Sequence, residues 1–216
     1  MSDKDSAAHL RTERERKLRA ITHLSTERLI LRHWQESDAP ALYRYASDPL
    51  VGPPAGWPPH TDPEESKKIL LNALMRPDTF AICLAADGGA ADDDALEAIG
   101  SISLIFDEMT DMTDRADECE LGYWIGRRFW GQGLMPEAGR ELLRFAFCEL
   151  GVRTVWCGYY DGNERSHRVQ EKLGFIYHHT TPDVQVPQLN TVRVGHVSRL
   201  TREHYIEIYS SSDIDR

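Results

Sequence analysis

Short runs of β-branched, aromatic and other apolar residues, set off by glycine, proline and acidic stretches, divide this chain into predicted strands and helices. The first strand falls on Glu27-Arg28-Leu29-Ile30-Leu31-Arg32-His33-Trp34, and Ser37 or Asp38 can then cap a short helix through Ala46, closed by Asp48-Pro49. The proline-rich stretch from Val51 to His60 lacks N–H donors where its prolines fix φ, so it reads as a stiff loop. Thr61 and Asp62 before Pro63 start a helix with capping-box spacing from Thr61 to Glu64; it is expected to reach about Met75 and to bury Ile69, Leu70, Ala73 and Leu74. Strands follow at Thr79 to Leu84, Ala98 to Phe106 and Glu120 to Gly126. Met135, Ala138, Leu142, Phe145, Ala146 and Leu150 recur at helical spacing, with Glu137, Arg140, Glu141 and Arg144 opposite, and Gly151 ends that helix. Arg153 to Tyr160 is a strand, Asn163 caps a short helix ended by Gly174, and strands at Phe175 to His178 and around Val192 to Leu200 complete the pattern. The order is strand, helix, helix, strand, strand, strand, helix, strand, helix, strand, strand. It implies an α+β fold, a mixed sheet with helices on its faces, rather than a doubly wound dinucleotide fold.

The junction Arg128-Phe129-Trp130-Gly131-Gln132-Gly133 links a strand to the longest helix through a glycine-rich turn. Such a turn leaves backbone N–H groups unpaired at the positive end of a helix dipole and suits a phosphate or pyrophosphate. Without a Cβ at Gly131 and Gly133 the backbone can approach an anion closely. When the glycine pair stands alone, a plain tight connection is the favoured reading. No Gly-Lys-Ser/Thr sequence is present, nor a G-x-G-x-x-G turn followed by a ribose-binding acid, so nucleotide hydrolysis is not expected.

The 216 residues fit one domain with an extension: residues 1–22 as a charged extension outside the core, and 23–216 as a single domain. Hydrophobic content of 41% and charged content of 28% are those of a globular chain, and neither a membrane-length apolar run nor a secretory h-region is found. A cytoplasmic protein is expected. The net charge of −10 opposes nucleic acid and anionic membrane surfaces, and suits a cationic substrate, though solubility explains it as well. The acidic stretches Asp87 to Asp94 and Asp107 to Glu118 are either solvated loops or a negative rim that attracts amines. Cys83, Cys119, Cys148 and Cys157 form no C-x-x-C pair and read as core thiols, and His167, His178 and His179 make no ligand set, so no metal is expected.

Three motifs taken together, Arg-x-x-Gly-x-Gly at 128–133, Asn163-Glu164-Arg165-Ser166 and Glu171-Lys172-Leu173-Gly174-Phe175, resemble the GNAT superfamily of acyl-CoA-dependent N-acyltransferases. The narrower likeness is to its RimJ/RimL branch, with Thr26 to Arg32, Trp57 to Thr61 and Glu120 to Ile125 in support; it spans about residues 23–204. The resemblance implies a GNAT-type fold whose central sheet is mixed, mostly antiparallel and splayed at its middle, with helices on both faces. It implies acetyl-CoA as co-substrate, no metal, and direct transfer to a small-molecule or peptide amine. No nucleic acid or membrane partner is implied, and a homodimer stays open.

By the same resemblance the backbone of Arg128, Gly131, Gln132, Gly133 and Leu134 would hold the pyrophosphate, and Trp124, Ile125 and Gly126 the pantetheine arm. An amine with a pKa near ~10 must lose a proton before it attacks. Glu120 is the candidate base, with Glu118 as fallback and a structural pairing with an arginine as the alternative. The leaving thiolate, roughly ~8.5 as a thiol, needs a hydroxyl nearby. Many family members place a Tyr near the position of Gln170; that Tyr is absent, and the pattern offers Ser166 instead, with Asn163 fixing the helix start and close to the cofactor. Trp34, Trp57, Tyr123 and Tyr160 are candidates for the acceptor wall, or else packing residues. A non-catalytic acyl-CoA sensor or scaffold is the alternative from another functional class.

Overall fold

Among the described residues, strands β1 (His23–Ser25), β2 (Leu29–His33), β3 (Thr79–Leu84), β4 (Ala98–Ile105), β5 (Glu118–Ile125), β6 (Thr154–Tyr160), β7 (Ile176–Val186) and β8 (Thr191–Thr201) form one sheet in the order β1-β2-β3-β4-β5-β6-β8-β7. The helices are α1 (Asp3–Ala20), α2 (Ala39–Ala46), α3 (Gly52–Ala55), α4 (Pro63–Ile69), α5 (Leu134–Arg144), α6 (Glu164–Lys172) and α7 (Arg202–Ser210). This computed structural model describes residues 3–85 and 96–210, so the acidic stretch Asp87 to Asp94 lies outside the described residues.

Alternation along the strands divides the interior in two, because successive side chains point to opposite faces. Leu29, Leu31, Phe80 and Ile82 enter a core shared with α5, while Ala81 and Cys83 pack with Leu42 of α2 and Leu70 beyond α4. Helices therefore cover both faces, as the resemblance implies. Every neighbouring pair of strands is antiparallel except β5 and β6, which run parallel and pair only at Glu118–Thr154, Cys119–Val155 and Glu120–Trp156. Past Glu120, β5 stays paired to β4 as far as Ile125, and β6 to β8 as far as Tyr160. The two strands thus part at the middle of the sheet and leave a wedge.

Several sequence expectations need correction. Within the segment 1–22, expected outside the core, Asp3–Ala20 form α1, whose Leu18 is 3% exposed and joins the main core. Arg14 lies 3.8 Å over the Phe106 ring and bonds Asp107 and the Ala116 carbonyl. Arg14 and Leu18 form a stripe one side chain wide on a charged helix, too narrow to register as amphipathic. The proline segment contains the short helix α3, because Pro53 falls in a first turn where no N–H donor is needed. Asp38 does not cap α2; it accepts two bonds from Arg32 and one from the Gln35 N–H.

In the helix that opens at residue 63, Asp62 is the N-cap, and Glu65 rather than Glu64 returns to the Thr61 N–H. Beyond Ile69 the helix widens into a π-helical turn, Leu70–Leu74. That shift of register leaves Leu70 buried but Ala73 exposed and Ile69 and Leu74 half-buried. A second π-helical turn, Phe145–Glu149, follows α5 and turns Cys148 outward, whereas Cys83, Cys119 and Cys157 are buried as expected. β1 and α7 were not legible in the sequence: β1 spans a single turn's length of chain, and α7 buries chiefly Tyr205.

Candidate active site

The wedge between β5 and β6 opens into a cavity of about 760 Å³. One end is walled by Gly131, Gly133, Leu134 and Met135 at the glycine turn, the middle by Glu120 to Ile125 of β5, and the far end by Tyr160, Thr181 and Gln185. The volume lies within the usual range for a small-molecule site.

At the turn, Gly131 and Gly133 both have φ of +76°, the left-handed region that favours glycine. Gly133 is the N-cap of α5 and offers no side chain to its N–H groups. The N–H groups of Gly131, Gly133, Leu134 and Met135 find no acceptor among the described residues. A row of bare donors at a helix N-terminus fits an anionic group such as a pyrophosphate. The turn is braced from behind: Arg28 bonds Glu137 of α5 and, through Nη1, the Gln132 carbonyl at 3.1 Å. Thr26 also donates to Glu137. On the opposite wall α6 presents Arg165, Arg168 and Lys172, with the Arg165 guanidinium 3.9 Å over the Trp130 ring. These basic side chains, and the Arg28–Glu137 brace, escaped the sequence reading because residues 109 positions apart carry no mutual periodicity.

Glu120 lines the middle of the cavity and, among the described residues, pairs with no arginine; its Oε2 accepts the Thr110 hydroxyl at 2.7 Å. Burial pushes its pKa up, the Thr110 bond pulls the other way, and the Asp111 charge adds a smaller push. A carboxyl displaced upward is better matched to proton abstraction near neutral pH. Glu118, the fallback, is taken up by Thr113, the Trp156 indole and Arg115, and does not line the cavity.

Ser166, in the first turn of α6, lies across the wedge from β5. Its Oγ is 2.9 Å from the Tyr123 hydroxyl, and its N–H donates to Asn163 Oδ1 at 3.3 Å. Asn163 is the N-cap of α6, and its Nδ2 donates to the Pro54 carbonyl, tying the α3 segment to the cavity. Burial holds the Tyr123 phenol well above its ordinary pKa, so it is neutral. Tyr123 was placed in the acceptor wall; it does line the cavity, but its hydroxyl is engaged with Ser166. That contact had no sequence signal, since β5 and α6 meet only in the fold.

The other candidate residues divide. Asn163, Trp124, Ile125, Leu134 and Tyr160 line the cavity. Gly126 donates its N–H to the Ile99 carbonyl, and a Cβ there would lie 2.6 Å from the Tyr45 ring, so it serves packing rather than a ligand. Arg128 lies 4.7 Å over the Phe129 ring outside the cavity lining, and Gln132 turns its amide to the Arg128 carbonyl. Trp34, expected in the acceptor wall, is 3% exposed, donates to Ser101 and stacks on Trp124. Trp57 meets Trp124 edge-on and does not line the cavity. Both indoles thus support Trp124, where aromatic pairing is favourable. Among the described residues no group of His, Cys, Asp or Glu could hold a metal ion, and no helix is long and apolar enough to cross a membrane.

Comparison with known proteins bears on this geometry. The acetyltransferase (GNAT) domain profile matches residues 28–176. YdaF of Bacillus subtilis (strain 168), which carries the provisional name ribosomal N-acetyltransferase, is 41% identical over 59 residues, 27% of this chain and 32% of that protein. This chain therefore spans about a third of YdaF. The uncharacterized N-acetyltransferase p20 of Bacillus licheniformis is 27% identical over 186 residues, covering 84% of this chain and 97% of p20. In three dimensions, a GNAT-family acetyltransferase from Bacillus anthracis superposes with a TM-score of 0.70 at 19% identity, over 84% of this chain and 99% of the other. With the split sheet, the bare glycine turn and the domain match in one chain, the protein belongs to the GNAT acetyltransferase family, an acyltransferase family.

Proposed function

We propose that the protein is an acetyl-CoA-dependent N-acetyltransferase that transfers the acetyl group directly to a primary amine, on a peptide N-terminus or a small molecule. One observation carries the reading: a single cavity joins a row of bare N–H donors to Glu120 and Ser166 along the free edge of β5. The donor row suits the pyrophosphate of CoA. The edge of β5 beyond Glu120, unpaired with β6, suits the amides of the pantetheine arm.

Glu120 takes the amine proton, directly or through water, and the freed nitrogen attacks the thioester carbonyl. A C–N bond forms, the C–S bond breaks, and the extra proton on the new amide nitrogen passes to the departing sulfur, which the Ser166 hydroxyl hydrogen-bonds as it leaves. No cysteine lines the cavity to act as nucleophile, and in Cys119 and Cys157 burial pushes the pKa up, which disfavours the thiolate.

The test is thiol release from acetyl-CoA across a panel of amines that includes N-terminal peptides. Release with at least one amine, lost in Glu120→Gln, is the expected result. Tight CoA binding without release across the panel overturns the proposal and leaves a binding module.

A further inference from the structure

Two groups able to donate, Gln170 and Tyr123, stand within hydrogen-bond reach of Ser166 Oγ. A serine oxygen accepts two hydrogen bonds and donates one. Gln170, one turn along α6, donates from Nε2 to Ser166 Oγ at 3.5 Å. The Tyr123 hydroxyl, arriving from β5, lies 2.9 Å from the same oxygen and 3.2 Å from the Ser166 carbonyl. Inside α6 that carbonyl is the regular acceptor of the Gln170 N–H, so the closer Oγ is the better acceptor for the phenol proton. Gln170 is 1% exposed, and its Oε1 has no partner among the described residues. A buried amide oxygen left bare is a cost the fold seldom accepts without a use for the rest of the group.

We propose that Tyr123 and Gln170 are positioning residues that together fill both acceptor sites of Ser166 Oγ and so force the Ser166 proton into the cavity, toward the sulfur of a bound thioester. The proposal rests on the acetyl-transfer reading above and extends it to the leaving group. A donor already aimed at the sulfur needs no reorganisation when negative charge arrives there. A hydroxyl free to turn inward would spend part of its time facing a protein acceptor.

The primary test needs no acceptor amine. CoA bound to the protein is titrated while the ultraviolet absorbance of its thiolate is followed. In the wild type the bound thiol is expected to ionise at lower pH than free CoA. In Tyr123→Phe one donor is lost; in Gln170→Glu a carboxylate accepts the Ser166 proton and turns it inward. Both variants should return the bound thiol toward the free value, with CoA affinity changed by less than about twofold, because a hydrogen bond to a charged group is lost only in the thiolate form. In turnover, kcat should fall about tenfold with KM for acetyl-CoA unchanged, and neither change should have a further effect in a Ser166→Ala background. Gln170→Met, which removes the donor without adding charge, serves if Gln170→Glu does not fold.

A bound thiol that ionises alike in wild type and variants overturns the proposal, as does an effect that persists in full without Ser166. Failure of the acetyl-transfer reading looks different: the bound thiol shifts between wild type and variants, yet no amine releases it from acetyl-CoA.

Discussion

Thr110 donates its hydroxyl to Glu120 Oε2 at 2.7 Å, reaching from the acidic loop after β4 to the strand that lines the cavity. This bond favours the carboxylate form, whereas burial favours the neutral acid. As a base Glu120 works only when ionised, so kcat/KM should fall as pH drops through a value above that of an ordinary glutamate. Thr110→Val removes the opposing pull and should move this acidic limb to higher pH. A pH–rate profile of both proteins checks it; a limb that stays put or moves lower counts against Glu120 as the titrating group.

Gly133→Val should weaken CoA binding by about tenfold or more while the protein remains folded, since a left-handed backbone costs a Cβ-bearing residue about 1–2 kcal/mol. A Cβ there meets only Arg28 Nη2, at 3.6 Å, so the effect is one of backbone geometry at the donor row rather than a clash. Gly151→Ala is the control. Gly151 has φ of +74°, has open space around it and lies away from the cavity. It should lose comparable stability and bind CoA normally by calorimetry.

Asp38→Ala removes the carboxylate that pairs with Arg32 through two 2.8 Å bonds, with both side chains buried. Breaking such a pair takes the carboxylate away from a buried guanidinium that keeps the His33 and Leu96 carbonyls, at about 3–5 kcal/mol. The melting temperature should drop by about 10 °C for a chain of this size. A drop of a degree or two would mean that Arg32 reaches water easily.

Arg14→Ala should act at a distance. Arg14 holds Asp107 and the Ala116 carbonyl, at the two ends of the loop that carries Thr110 and Asp111 to the cavity. Loss of these bonds and of the stacking on Phe106 should cost about 1–3 kcal/mol. It should also raise KM for the amine while leaving KM for acetyl-CoA unchanged. Equal rises in both would place the effect on the whole fold.

Local rules carried the reading of the elements. The alternation of Leu29, Ile30 and Leu31, the helical spacing after Gly133 and the cap at Asn163 follow from rules acting within a few residues, and β2, α5 and α6 lie where these rules put them. The leader misled because most of α1 is charged, and the π-helical turns misled because a one-residue slip leaves no mark on composition.

The sequence alone was enough for the glycine turn and for the order of elements apart from α1, β1, α3 and α7, because each is a matter of residue type and short spacing, and the family resemblance added Ser166 to Glu120 as candidates. Only the tertiary structure decided which aromatic reaches the cavity and which does not. Tyr123 and Trp124, adjacent on β5, both line the cavity: the Tyr123 hydroxyl meets Ser166, while Trp34 stacks on the Trp124 indole and Trp57 meets it edge-on, neither of them lining the cavity. The physical reason is that a side chain's partner is set by the neighbouring element that packs on its face. Tyr123 meets Ser166 43 positions away, Arg28 meets Glu137 109 positions away, and a separation of that size leaves no trace in a linear pattern.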